Sequence, residues 1–278
     1  MDARLAVVSV SFGSSFPGLV YAQLRKHEQP GRLELESTTV KRYDPEFRRA
    51  RLLGLLEGAT RPTALIALCI RLDRETIDRF RAARVPVVLV DEEAEGASTV
   101  ACDNRAGGYL AGQHLARAGR RRIAVVCGRR DETEGFNALQ RVMGFEAALA
   151  ERGLALASED VVEVVEYSRA DGKNALAALL DRRRPIDAVF CAAGDACAAG
   201  MLATARERGV KVPEQLAILG YDDNPLASLT DPPLSTVRQP LEKIADQVFR
   251  LATERSTEIL AEPKTIVFSP ELVLRATA

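Results

Sequence analysis

The chain has 278 residues, enough to bury one large core or two smaller ones. Hydrophobic residues make up 47% and charged residues 28%, and the formal net charge of −1 supplies no basic footprint for a nucleic-acid surface. No apolar run reaches the roughly 18 residues that a membrane-spanning helix requires.

The start, MDARLAVVSVSFG, runs directly into a strand pattern without the basic, apolar and small-residue segments of a secretory signal, so a cytoplasmic location is expected. The cysteines at 69, 102, 127, 191 and 197 form no CxxC pair and read as reduced core residues. His27 and His114 are far apart and neither has a partner at metal-ligand spacing, so no metal site is expected.

In chain order, 5–10, 33–40, 64–68 and 87–90 are apolar runs that predict strands, and 18–27, 45–56 and 73–83 predict the helices between them. Such βαβα alternation implies a parallel sheet with right-handed crossovers. The rhythm then repeats. Strands are predicted at 123–127, 161–165, 188–191 and 217–221, and helices at 137–152, 170–182 and 196–209. Gly153 and Gly209 stand where helices end, and Pro213 follows the second. A helix over 241–259 and strands at 265–268 and 271–275 close the chain. The expected fold class is therefore α/β, with two similar doubly wound parallel-sheet lobes. No Gly/Pro/Ser-rich tether separates them, which predicts several short crossings.

The stretch 220–240, GYDDNPLASLTDPPLSTVRQP, puts carboxylates at the end of an apolar strand, where ligands bind in open α/β sheets. A short Pro-bounded helical piece and another strand, LSTVRQ, follow. This order resembles the G-[FY]-D-D and P-P-L-[ST]-T-V-x-Q pattern of the effector-binding core of LacI/GalR transcription regulators. Segments 99–128 (TVACDNRAGGYLAGQHLARAGRRRIAVVCG), 137–154 (NALQRVMGFEAALAERGL) and 188–223 (AVFCAAGDACAAGMLATARERGVKVPEQLAILGYDD) extend the likeness over nearly the whole chain.

The resemblance implies a type I periplasmic-binding-protein-like fold with several crossover strands. It divides the chain into an N-terminal lobe (1–101 plus 240–262) and a C-terminal lobe (102–239 plus 263–278). It further implies a homodimeric sensor that binds a small polar effector between the lobes, shifts their closed–open population and so controls DNA binding. A solute-binding protein of a sugar transporter is the alternative on the same fold. Three departures stand out. Only four residues precede the first predicted strand, so operator DNA is expected to be reached only through a helix-turn-helix headpiece missing from this chain. Gly194 replaces an Asn that the family often carries before its D-x-x-A-x-G helix. The loop SFGSSFPG after the first strand is short and polar.

Asp222 is the leading candidate for ligand contact, since a strand-end carboxylate can accept from two adjacent hydroxyls. Asp223 or Asn224 could instead cap the following helix. Arg141, in the R-x-x-G-F match, offers a planar donor fork; a solvated helix-face arginine is its bland alternative. Tyr167 supplies a ring for stacking on a sugar face or heterocycle, unless it is a partly buried structural tyrosine. Phe12, Ser14, Ser15 and Phe16 would line the other lobe, with Phe16 alternatively a hydrophobic contact at a helix start.

Asp91 and Asp103 end strands, Asn137 lies one turn before Arg141, and Gln239 matches a family glutamine that touches ligand. Asp195 faces the expected cleft or caps the helix at 196. No GxSxG, P-loop or HExxH motif is present, so neither catalysis nor a cofactor is expected. The donor set suits a monosaccharide or polyol best, with a nucleobase or small organic acid left open.

Overall fold

The computed structural model describes residues 3–13, 15–41, 44–58, 61–130, 136–254, 260 and 262–278. Its strands are β1 (Ala3–Ser9), β2 (Leu33–Thr39), β3 (Ala64–Leu68), β4 (Val87–Val90), β5 (Ser98–Cys102), β6 (Ile123–Cys127), β7 (Val161–Glu163), β8 (Ala188–Cys191), β9 (Ala217–Asp222), β10 (Ser235–Arg238), β11 (Thr265–Phe268) and β12 (Glu271–Val273). Its helices are α1 (Phe16–Leu24), α2 (Pro45–Glu57), α3 (Arg74–Ala82), α4 (Asn104–Arg117), α5 (Phe136–Ala150), α6 (Arg169–Leu180), α7 (Asp195–Glu207), α8 (Pro225–Leu229) and α9 (Leu241–Thr253).

The strands form two six-stranded sheets, β11-β5-β4-β3-β1-β2 and β12-β10-β9-β8-β6-β7. Every pairing is parallel except β10 with β12. Strands β3, β4, β6 and β8 are buried along their whole length, as expected of parallel strands covered on both faces.

The chain divides into two compact units, Met1–Cys102 with Pro240–Phe268 and Asp103–Gln239 with Ser269–Ala278. The boundary expected at 262/263 is corrected to 268/269. Strand β11 pairs with β5 from Thr265↔Thr99 to Phe268↔Cys102 and extends the first sheet, so 263–268 belong to the first unit.

Several helix starts follow from side-chain caps. Asp44, Asp73 and Asp103 accept from the N–H three residues on, and Ser168 with Asp171 forms a capping box. The first helix begins at Phe16, with Pro17 in its first turn, and ends at Leu24 before a 3₁₀ turn. Of the helix predicted over 241–259, the described part runs Leu241–Thr253, and 255–259 lie outside the described residues.

Glycines set a close helix contact in the second unit. A Cβ on Gly108 of α4 would overlap the Arg141 carbonyl of α5, and one on Gly144 of α5 would overlap the Arg105 carbonyl of α4. The two backbones touch where side chains would keep them apart. That contact fixes the helix carrying Arg141.

Candidate functional site

Each sheet reverses its strand order once, between β1 and β3 in the first and between β6 and β8 in the second. The carboxyl ends of strands beside such a reversal form a crevice in doubly wound sheets. The backbone is unusual at these ends. Cys69 (φ 53), Asp91 (φ 58), Asp222 (φ 102) and Asp223 (φ 52) are non-glycine residues in the left-handed region at or directly after a strand's carboxyl end, and Tyr167 (φ 57) is another in the connection from β7 to α6. Strained residues of this kind cluster where a protein holds side chains for a purpose.

In the second unit, β9 delivers Asp222 half-buried, and Gln239 donates its side-chain amide to Asp222 Oδ1 at 2.8 Å. Gln239 is 2% exposed, and its Oε1 has no hydrogen-bond partner among the described residues. The other oxygen, Asp222 Oδ2, lies over Gly194 at the entrance to α7.

Arg141 reaches this edge from α5. Its guanidinium lies 3.8 Å from the Tyr221 ring centroid, Nε donates to Asn104 Oδ1 at 2.7 Å, and Nη1 donates to the Ala192 carbonyl at 2.8 Å. It is buried, so a solvated helix-face role does not apply. Tyr221 also donates its hydroxyl to Asn104 Oδ1 at 3.3 Å. Tyr167 is half-buried, with its hydroxyl against Gly128, where a Cβ would overlap it. Asn137 is half-buried in the first turn of α5.

Asp195 corrects an expectation. The N-cap of α7 is Gly194, which has no side chain to cap with, and Asp195 is the first helical residue. Its carboxyl is fully buried and binds elsewhere, accepting from Asn224 N at 2.8 Å and sharing a 2.6 Å hydrogen bond with the Thr236 hydroxyl. The cap of α8 falls to Asn224, which accepts from Leu226 N.

The first unit presents a separate edge. Phe12 packs on Tyr21 with ring centroids 4.7 Å apart, and Phe16 is buried in the core, which fits the helix-start contact. Ser15 precedes α1 as its N-cap residue and makes no side-chain capping bond. Ser14 lies outside the described residues. Asp91 is buried and accepts from Cys102 N at 3.0 Å, while Asp103, in the second unit, is spent on capping α4.

Asn104, Tyr221 and Thr236 escaped the sequence reading as contributors to the second edge. Asn104 sits in the Asp-Asn pair that opens α4, and Tyr221 in GYDD, so both lay within segments already singled out. Their pairing with Arg141 needed the fold. Among the described residues no group of three His, Cys, Asp or Glu side chains is arranged to hold a metal ion.

A family model described as a periplasmic binding protein-like domain matches residues 112–278. The chain is 36% identical over 181 residues to the HTH-type transcriptional regulator CelR of Thermobifida fusca, covering 65% of this chain and 52% of that protein. It is 30% identical over 240 residues to the HTH-type transcriptional repressor PurR of Haemophilus influenzae, covering 84% of this chain and 69% of that one. The chain thus spans between about half and about two thirds of these relatives' length.

Among solved structures, a transcriptional regulator CelR–cellobiose complex superposes with a TM-score of 0.83 at 27% identity, covering 99% of this chain and 84% of that one. A LacI family regulator from Enterococcus faecium with bound ribose gives 0.85 at 20% identity, covering 99% and 98%, a likeness of fold.

Proposed function

This chain belongs to the periplasmic binding protein-like domain family of LacI-type transcriptional regulators, and from that premise we propose that it is the effector-sensing and dimerisation part of such a regulator. The effector is a small polar metabolite, a sugar by best chemical match, bound between the two units in a cytoplasmic homodimer. Its occupancy shifts the balance between two arrangements of the units and thereby the operator affinity of a DNA-binding headpiece carried by the full-length protein.

One observation carries this reading. Asp222 ends β9 in a strained conformation (φ 102) with its carboxylate held by Gln239, between the carboxyl ends of the neighbouring parallel strands β8 and β10. A carboxylate fixed in this way is pre-organised to accept hydrogen bonds from adjacent sugar hydroxyls. That relatives of this fold have been solved with cellobiose and with ribose supports the choice of a sugar.

The test is calorimetric titration with a sugar panel that includes cellobiose and D-ribose. Asp222→Ala should weaken binding by about 1.5–3 kcal/mol, the range for hydrogen bonds to a charged group. Unaltered affinity in that variant would remove Asp222 from the site, and no binding by any sugar would redirect the search to nucleobases and organic acids.

A further inference from the structure

Asp195 is 0% exposed, and its two oxygens have different partners. Oδ2 accepts the Asn224 backbone N–H at 2.8 Å, while Oδ1 lies 2.6 Å from the Thr236 hydroxyl, a group able either to donate or to accept. Gly220 of β9 presses on the same carboxyl, since a Cβ there would run into Oδ1.

The charged and titratable groups around it are mostly acidic. Asp222 and Asp223 face it from the end of β9, and the buried thiols of Cys191 and Cys197 lie on β8 and on its own helix. The arginines that pair with Asp223 are committed to it: Arg238 of β10 at 2.7 Å and Arg275 at 2.6 Å. No basic side chain bonds Asp195 among the described residues.

A buried carboxylate without a countercharge costs several kcal/mol, and a second carboxylate beside it opposes ionisation further. Burial first, and the charge of Asp222 second, push the Asp195 carboxyl well above the usual carboxylate range. Asp222 is the more exposed of the two and has an amide donor in Gln239, so it is the one equipped to ionise.

We infer that Asp195 holds a proton at neutral pH, donated from Oδ1 to Thr236 Oγ, and acts as a positioning residue that leaves Asp222 the ionised member of the pair. This rests on the reading of Asp222 as an effector contact. Loss of the proton would set a second negative charge behind Asp222 and disturb its bond to Gln239. Effector affinity should then fall as pH rises through the ionisation of Asp195.

The direct test needs no ligand. A carboxyl whose proton is held more tightly in the folded chain makes stability fall as pH rises from the ordinary carboxylate range toward the raised value. Asp195→Asn carries a neutral amide that can accept from Asn224 and donate to Thr236. Urea denaturation of both proteins between about pH 5 and pH 8 should show the variant gaining on wild type as pH rises, by up to about tenfold in the unfolding constant per pH unit while Asp195 keeps its proton in the fold. A constant difference, or wild type gaining with pH, would overturn the inference.

If the variant does not fold, the ¹³C resonance of the Asp195 carboxyl in wild type reads the same proton, and an ionised shift at pH 6 is the negative result. For the positioning role, calorimetry with cellobiose and D-ribose should show affinity falling with pH in wild type and flat in Asp195→Asn. A pH-independent wild-type affinity sinks that role. If neither sugar binds, only the effector reading suffers, because the denaturation series stands without it.

Discussion

A Cβ on Gly194 would stand 2.9 Å from Asp222 Oδ2, so the residue that opens α7 and the carboxylate that ends β9 define each other's space. Gly194 has φ 96 and ψ 167, a region open essentially to glycine alone. The asparagine expected here from family resemblance would meet both obstacles at once. This glycine is therefore tied to the placement of Asp222.

Gly194→Ala should destabilise the second unit by about 1–3 kcal/mol through backbone strain alone, with a further contribution from the displaced Asp222. Thermal or urea unfolding measures it. A loss under half a kcal/mol would show that the loop relaxes without cost.

Gly108→Ala tests the contact between α4 and α5. Its methyl group would overlap the Arg141 backbone carbonyl, which cannot rotate away as a side chain could, so the helices must separate. A loss at the upper end of the overpacking range, about 3 kcal/mol, is expected. Because the displaced segment carries Arg141, sugar affinity should fall with stability, which paired unfolding and calorimetric measurements would establish.

Arg141→Lys keeps the charge but loses the planar fork that reaches Asn104 and Ala192 while stacking on Tyr221. The expected cost is about 2 kcal/mol, from buried acceptors left without their charged donor. Wild-type stability in the lysine variant would mean that a point charge suffices there.

His114 supplies a pH dependence of opposite sign to that of Asp195. Burial pushes its imidazole below the ordinary histidine value, against a smaller opposing effect from a hydrogen bond with Ala278, and its Nε2 is buried with no partner among the described residues. A base with a depressed pKa in the folded state contributes stability that is present above the unfolded value of about 6.5 and is lost as pH falls through the folded one. His114→Gln should therefore flatten the decline below about pH 6.5 in a series of unfolding curves.

The strand pattern was legible in the sequence because parallel strands bury both faces, and runs such as ALIAL and IAVVC therefore contain no polar alternation. Helix starts at Asp73 and Ser168 were equally local, each depending on a side chain that reaches an N–H three residues away. The same locality put Asp222 at a strand end, the edge at which open α/β sheets bind ligands. What lay out of reach depended on contacts between distant segments. Asp195 could be read as an ordinary helix-start acid until the fold set Asn224 and Thr236 against it, 29 and 41 residues further on. Strand β11 went to the first sheet because its edge matches β5, more than 160 residues earlier, a choice that hydrophobic pattern cannot make. Arg141 acquired its stacked, doubly bonded setting only when Asn104 and Tyr221 were packed around it. Sequence determines which residues stand at the strand ends. Tertiary structure decides which are buried, which keep a proton and which are left to meet a ligand, because desolvation and charge coupling depend on the whole surrounding volume.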